Sequence, residues 1–443
     1  MVPGIVLGKF GDARLEKRSG WFLSRVLEVG TCGVSLRRIG GDRAGEISLN
    51  RFFHNDAVNV TEIFETASAR TGGRCAGSEH VLVIQDTTVI RGEKKGAGLF
   101  LHAVIAIDAK SGALLGTVGG EFLSYTSGER ARKRGRTVDE KMSRRWLTGA
   151  EQAAIHCAGA AQVTVIADRE SDIYEAFARR PEGVQLLIRA AQDRAVEDGG
   201  RMFALIDAQP EMGRRALDLP AGGGRKARTA TMTLRIARME IKCPRNGKLG
   251  AGVARTFTAT LVDVREVDAP EGVKPLHWRL LTSHEVANAE QGWEIAALYR
   301  QRWHIEQVFR TYKTEGFDIE RLRIEDDKTL EKVAAGCFVA AVIAQQMVHA
   351  RDGARPDVDP RPIEDAFDPD DIPFIEAYCD RLEGKTERQK NPHAKGTLAY
   401  ASWVCARLGG WTGYYGKPGP IVMLRGWRQL QAAKAGWTLG RAQ

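Results

Sequence analysis

The spacing of hydrophobic and polar positions changes character several times along the chain. Residues 1 to about 70 are polar with helical periodicity: GDARLEKRSGWFLSRVLEV forms one amphipathic segment, and EISLNRFFHNDAV opens another. No strand pattern occurs there. From about residue 80, HVLVIQDTTVI, GLFLHAVIAID and ALLGTVGGEFLSY are three consecutive strand candidates, rich in Val, Ile, Leu and Phe with Gly punctuation. A helix over Val138 to Ala158 follows, then the strand QVTVIAD and the helix-like SDIYEAFARR. Strands alternating with helices in this way predict a mixed α/β sheet.

Residues 184 to about 276 interrupt the alternation. VQLLIRA, TATMTLRIARMEIK and TFTATLVDVREV are β-rich, and LPAGGGRKAR has the composition of a loop, so this region is expected to be a β insertion. WRLLTSHEV resumes the α/β pattern and leads into one long helix from about Ala289 to Thr314. The most apolar stretch, Val333 to Val348, carries Gln345 and Gln346 and is shorter than the 18 or so residues of a membrane span, which predicts a buried helix. ARPDVDPRPIEDAFDPDD is expected to be a linker, and the last 70 or so residues a small separate domain.

Length and composition then narrow the class. At 443 residues with 43% hydrophobic positions, two or three domains with sizeable cores are expected. Lys and Arg number 65 against 56 Asp and Glu, a net charge of +9. The excess is clustered in RARKRGR, Arg130 to Arg136, followed by Lys141, Arg144 and Arg145, which suits a polyanion partner as well as a solvated face. The seven cysteines show no CxxC and no zinc-ligand spacing, and read as reduced, mostly buried thiols. No basic segment leads into a long apolar run at the N-terminus, so a secretory signal is not expected.

Candidate chemistry rests on three acidic residues: Asp86 in VLVIQDTT, Asp168 in VTVIADRE and Glu306 in YRQRWHIEQVFRTYK. Two end or follow β-branched runs and the third lies on an amphipathic helix, which is how a fold gathers distant carboxylates. Mg²⁺ prefers hard oxygen ligands, so a few carboxylates plus substrate phosphates complete its shell. Two such ions can activate an attacking oxygen and stabilise a leaving one without a nucleophilic side chain. On an unbroken helix at about 100° per residue, Tyr299, Arg302, Glu306 and Lys313 project within roughly a 60° arc bordering the apolar face. A solvated helix edge with a charge pair would look the same from the helix alone.

The spacing Y-x2-R-x3-E-x6-K, met by Tyr299, Arg302, Glu306 and Lys313, resembles the signature of DDE transposases of the insertion-sequence-four family, which includes the transposon-five enzyme. The resemblance runs nearly end to end. GDARLEKR and NRFFHNDAV resemble the family's N-terminal DNA-binding region, IQDTT and VIADRESDIYE its two Asp contexts, and PLHWRLLTS the strand before the signature helix. GLFLH resembles the strand after the first Asp, and ARLGGWTGY with PGPIVMLRGW resembles the C-terminal dimerisation region.

The resemblance implies an α/β, RNase H-like catalytic core (71–370) with a β-strand insertion (184–276). A helical N-terminal DNA-binding domain (1–70) and a small, mainly helical C-terminal dimerisation domain (371–443) would flank it. Asp86, Asp168 and Glu306 would hold two Mg²⁺ ions, with Mn²⁺ as substitute, and cut double-stranded DNA at the inverted repeats of an element before joining it to target DNA. Tyr299, Arg302 and Lys313 would grip end phosphates, and a homodimer would pair the ends. Excision through a DNA hairpin calls for a base flipped onto a tryptophan; Trp278 is the carried-over candidate, Trp303 the second, and Arg189 an insertion-region arginine near the site. No membrane partner is implied, and the family's setting is the bacterial cytoplasm, with nucleoid association when bound to DNA. Met142 stands where the family often has a glutamate, so no supporting acid is carried over, and VIRGEKKGA departs from the family's loop wording. Two other readings share the carboxylates: an RNase H-like nuclease without strand transfer, and an inactive DNA-binding inhibitor of transposition. His102 and His304 lack ligand spacing and are expected to be structural.

Overall fold

The computed structural model describes residues 5–94, 97–126, 137–219, 227–245, 249–250 and 252–441; the basic run Arg130 to Arg136 and most of LPAGGGRKAR lie outside them. Four helices come first: α1 (Ala13–Val29), α2 (Leu36–Gly40), α3 (Arg43–Phe53) and α4 (Val60–Cys75). Each starts where a short polar side chain, Asp12, Ser35, Asp42 or Asn59, accepts a backbone N–H of the first turn. EISLNRFF therefore closes α3 instead of opening a helix, because the cap lies upstream at Asp42. The α2–α3 turn passes through Gly41 at φ +82°, and a Cβ on Gly45 would lie 2.1 Å from the Gly40 carbonyl oxygen, so only glycine permits this approach.

Strands β1 (Val81–Lys94), β2 (Ala97–Asp108) and β3 (Leu114–Thr126) coincide with the three expected runs. Helix α5 (Arg144–His156) begins later than its sequence pattern suggests, since Val138–Glu140 form a 3-10 turn closed by a Thr137–Glu140 capping box. Next come β4 (Val163–Ala167), α6 (Tyr174–Ala178), β5 (Val184–Arg189), α7 (Met202–Asp207), β6 (Gly213–Leu219), β7 (Arg228–Lys242), β8 (Thr256–Val267) and β9 (His277–Thr282). Helices α8 (Ala289–Arg300), α9 (Trp303–Tyr312), α10 (Asp327–Ala350), α11 (Ile372–Leu382), α12 (Leu398–Leu408) and α13 (Pro420–Arg441) complete the chain. The strands form one sheet in the order β3-β2-β1-β4-β5-β9-β8-β7-β6.

By contacts the chain divides into two units: Met1–Glu79 with Thr87–Tyr125 and His304–Gln443, and His80–Asp86 with Thr126–Trp303. In the second unit the first residues of β1, β4 and β5 pair in parallel, and the all-buried Val163–Ala167 run is what a strand covered on both faces requires. β5 then pairs antiparallel with β9, and β8, β7 and β6 extend the same ladder. The expected insertion thus continues the sheet, because β8 pairs with β9 from Thr260 to Arg265. It also contains α7, whose six residues are too few to show a helical period.

In the first unit α10 is the buried axis, packed by α1, α4, α12 and α13. It is long and apolar enough to cross a membrane, yet 89% of its apolar window is buried inside the fold. The Pro/Asp-rich stretch is no free linker: Ile363, Ala366 and Phe367 are buried, and Asp365 pairs with Arg74 at 3.0 Å and Arg361 at 2.6 Å. Five of the seven cysteines are buried, and all seven are free thiols. His102 is buried with its Nδ1 3.0 Å from Thr87 Oγ1, and His304 Nδ1 lies 3.3 Å from His349 Nε2.

In the second unit, Nε2 atoms of His80 and His284 both meet the Thr164 hydroxyl at 2.8 Å. Burial first, then His80 and Arg180, lower the His284 pKa from 6.5 to about 4. A folded value below the unfolded one gives stability that is present above pH 6.5 and is lost as pH falls towards 4. The thermal midpoint is therefore expected to drop between about pH 7 and about pH 4.5, and His284→Gln to flatten part of the drop. Calorimetry across that range checks it; an identical acid slope in the variant would refute it.

Candidate active site

Two carboxylates are set by strand register. β1 and β4 pair in parallel with Val81 opposite Val163, Leu82 opposite Thr164, Val83 opposite Val165 and Ile84 opposite Ile166. The paired residues end at Ile84 and Ile166; Asp86 follows two residues on in β1, and Asp168 comes one residue past the end of β4. Neighbouring strands lie about 4.8 Å apart, a spacing that lets carboxylates on adjacent strands share one cation. Asp168 follows the last residue of β4, and its carbonyl oxygen accepts from the backbone N–H and hydroxyl of Ser171 in the turn that ends the strand. The carboxyl ends of parallel strands are where α/β sheets place their ligands.

Helix α8 brings two further side chains of the same unit to these acids. Asn288 caps its first turn, and Gly292 packs so closely on β7 that a Cβ there would lie 2.8 Å from Leu234 and Ile236. At its C-terminal end the Tyr299 hydroxyl donates to Asp168 Oδ1 at 3.1 Å. Arg302 Nη1 donates to Asp86 Oδ2 at 2.9 Å, with the guanidinium 15% and the carboxylate 22% exposed. Burial, then the charge of Asp168, push the Tyr299 phenol up to about 12 against the opposing pull of Arg302 and Arg189, so it stays a neutral donor near neutral pH.

The single long helix expected over 289–314 is broken. The N–H groups of Gln301 and Arg302 bond to the carbonyls of Leu298 and Tyr299, three residues back, and this tightening separates α8 from α9. Tyr299 and Arg302 thus belong to the end of α8 and the turn, whereas Glu306 sits in the first turn of α9 and Lys313 just past its end. Glu306 and Lys313 fall in the first unit, where Lys313 Nζ is 2.6 Å from Glu320. Among the described residues no group of three or more His, Cys, Asp or Glu side chains is gathered as a metal site. Asp86 and Asp168 belong to the second unit and Glu306 to the first; in the second unit each Asp is engaged by a side chain from the α8 end.

Trp278 lies on β9 with its ring 6.1 Å from that of Tyr299. Its strand neighbours point the other way and are anchored: fully buried Asp263 meets His277 Nε2 at 2.5 Å and Arg279 Nε at 3.4 Å. Arg279 and Arg265 also pair with Asp207 at 2.9 and 2.6 Å. Sequence reasoning missed Asp263, although the alternation His277-Trp278-Arg279 marked a strand with one polar and one aromatic face. Arg189 donates to the His277 carbonyl at 3.0 Å and acts electrostatically on Tyr299, which places it beside this group. Trp303 is 53% exposed.

A family model described as a transposase DDE domain matches residues 77–343, more than half of the chain. The chain belongs to the DDE transposase family. The matched span includes Asp86, Asp168 and Glu306, and the mixed α/β architecture with its nine-stranded sheet is consistent with an RNase H-like DDE domain. Membership makes DNA the substrate class and a transposase or nuclease the type of enzyme.

Because a cation directly bonded to Asp86 opposes a second one, Arg302→Gln is expected to tighten Mn²⁺ binding to the DNA-free transposase by a few fold. Titration followed by electron paramagnetic resonance measures it. Unchanged affinity would mean that Arg302 does not compete with a cation at Asp86.

Proposed function

We propose that this DDE transposase performs cut-and-paste transposition of the insertion-sequence-four type. The observation that supports it most is that Asp86 and Asp168, on and just past neighbouring parallel strands, are held by Arg302 and Tyr299 at signature spacing. Two hard oxygen donors fit Mg²⁺. Asp86, Asp168 and Glu306 would hold two Mg²⁺ ions, or Mn²⁺ in their place. When bound, the metal supplies Lewis-acid stabilisation of charge building on the phosphoryl oxygens.

In the reaction, a water oxygen bonds to phosphorus at the element end and the bond to the 3'-oxygen breaks, that oxygen leaving with a proton. The freed 3'-hydroxyl oxygen bonds to a phosphorus of the opposite strand and displaces the flanking DNA's 3'-oxygen, giving a hairpin; water then opens the hairpin at that phosphorus and releases the 3'-hydroxyl. That hydroxyl bonds to a target phosphorus and displaces the target's 3'-oxygen, each leaving oxygen taking a proton. Arg302 holds Asp86 until a DNA phosphate offers the guanidinium two acceptors in exchange, which places the phosphodiester against the carboxylates. Tyr299 keeps its proton and fixes one oxygen of Asp168, leaving the carboxylate its remaining lone pairs. Lys313 contacts a neighbouring end phosphate. Trp278, beside Tyr299, stacks on the flipped base, with Trp303 and Arg189 lining the distorted strand. Residues 1–70 bind the inverted repeats, and 371–443 join two protomers so that both ends are cut together.

Each of Asp86→Ala, Asp168→Ala and Glu306→Ala is expected to slow strand cleavage on the order of 10³-fold, about 4 kcal/mol of barrier, with end binding kept within a few fold. Labelled DNA carrying the inverted repeat that flanks the protein's own coding region, incubated with Mg²⁺ or EDTA, gives the measurement. A triad variant that nicks at the wild-type rate would overturn the assignment, and cleavage without strand transfer would reduce the function to a nuclease.

Trp278→Ala is expected to leave the first nick within about threefold and to slow hairpin formation by about tenfold or more, since stacking contributes roughly 1–3 kcal/mol per base. Gel analysis of nick and hairpin time courses separates the two steps; equal slowing of both would remove the stacking role.

A further inference from the structure

The buried helix α10 is apolar along most of its length, but three polar side chains interrupt it near its C-terminal end: Gln345, Gln346 and His349. Two of them face α9, in the same unit. Gln345 Nε2 donates to Thr311 Oγ1 at 2.6 Å and reaches the Gln307 carbonyl oxygen at 3.4 Å. His349 Nε2 lies 3.3 Å from His304 Nδ1, with the rings 4.7 Å apart. His349 Nδ1 lies 3.0 Å from the Gly112 carbonyl oxygen. A carbonyl can only accept, so His349 carries its proton on Nδ1, and in neutral rings His304 is then the donor to His349 Nε2.

These contacts form a ladder. Positions 304, 307 and 311 fall on one flank of α9, and their partners at 345 and 349 are one turn apart on α10. Around the ladder the contacts are apolar: Phe309 and Tyr312 pack on Phe338, and Ile305 and Val308 are buried. Apolar contact holds two helices together but discriminates poorly between neighbouring registers, whereas a buried polar pair is left unsatisfied by any slip. Gln345 Oε1 has no hydrogen-bond partner among the described residues, a cost that an apolar side chain would avoid. A glutamine held at such a cost is placed for geometry. Glu306 borders the opposite edge of the same buried face, so rotation or sliding of α9 would carry its carboxylate away.

We propose that the Gln345–Thr311 and His349–His304 rungs fix the register and rotation of α9 on α10 and so act as positioning residues for Glu306. This rests on the reading of Glu306 as the third carboxylate. The rungs choose among packings that the apolar residues alone would accept.

Thr311 is fully buried and can be changed without changing shape. Thr311→Val removes the hydroxyl, and Thr311→Ser keeps it. With the full-length protein, Thr311→Val is expected to lower the unfolding temperature by a few degrees, because Gln345 Nε2 loses its acceptor, to keep end affinity, to exchange its α9 amides about tenfold faster, and to cleave about tenfold more slowly. Thr311→Ser is expected to restore both rates. Unchanged α9 exchange in Thr311→Val overturns the register role whatever the cleavage result, and it decides the matter even if the wild type cuts no end substrate. Faster exchange with wild-type cleavage overturns the link to Glu306, and equal loss in Thr311→Ser overturns the role of the hydroxyl. Gln345→Met, which keeps length and removes the amide so that no unpaired amide is buried, is judged by the same readings and separates loss of the rung from loss of stability.

Discussion

Parallel pairing of β1 with β4 is the constraint on which the candidate site depends. The ladder pairs Val81–Ile84 with Val163–Ile166, and both strands are buried on both faces, so apolar alternation alone does not select this register. The register formed by the paired residues sets how the chain carries Asp86 and Asp168 beyond them. Neither acid has to find the other. Their separation follows from strand spacing, a property of the backbone.

Two acids close together in a half-buried site repel, and the DNA-free protein meets that with the end of α8. One acid pairs with a cation and the other accepts a hydrogen bond from a phenol that keeps its proton, so their repulsion is eased without any external ion. Both partners come from one short stretch, and Gly292 lets α8 lie close to β7. The same contacts bring Trp278 to this place, since β9 is clamped through Asp263 on its other face. Acids, cation, phenol and indole are thus organised by one sheet and one helix.

Much of this was legible in the chain. The three strand runs near residue 80, the Asp contexts and the Tyr, Arg, Glu and Lys spacing stand out because apolar periodicity and strand-end acids are local signals. The break at Gln301–Arg302 was not legible, since neither residue is Gly or Pro and the turn differs from a helix only in bonding three residues back. Nor were the α3 boundary, decided by Asp42 upstream of the apolar positions, and the packing of the Pro/Asp stretch, decided by Arg74 nearly three hundred residues away. Asp263 was hidden for the same reason: its partners face it only once β8 and β9 are paired.

The division of the chain has a consequence for the order of synthesis. One unit draws almost wholly on residues between 80 and 303, so its sheet can close while the remainder of the polypeptide is still being made. The other draws on the beginning, the middle and the end. Its axis, α10, emerges from the ribosome well before α12 and α13, which cover it. During that interval a helix apolar enough to suit a bilayer stands partly uncovered, and the nascent chain at that stage is a natural client for a chaperone.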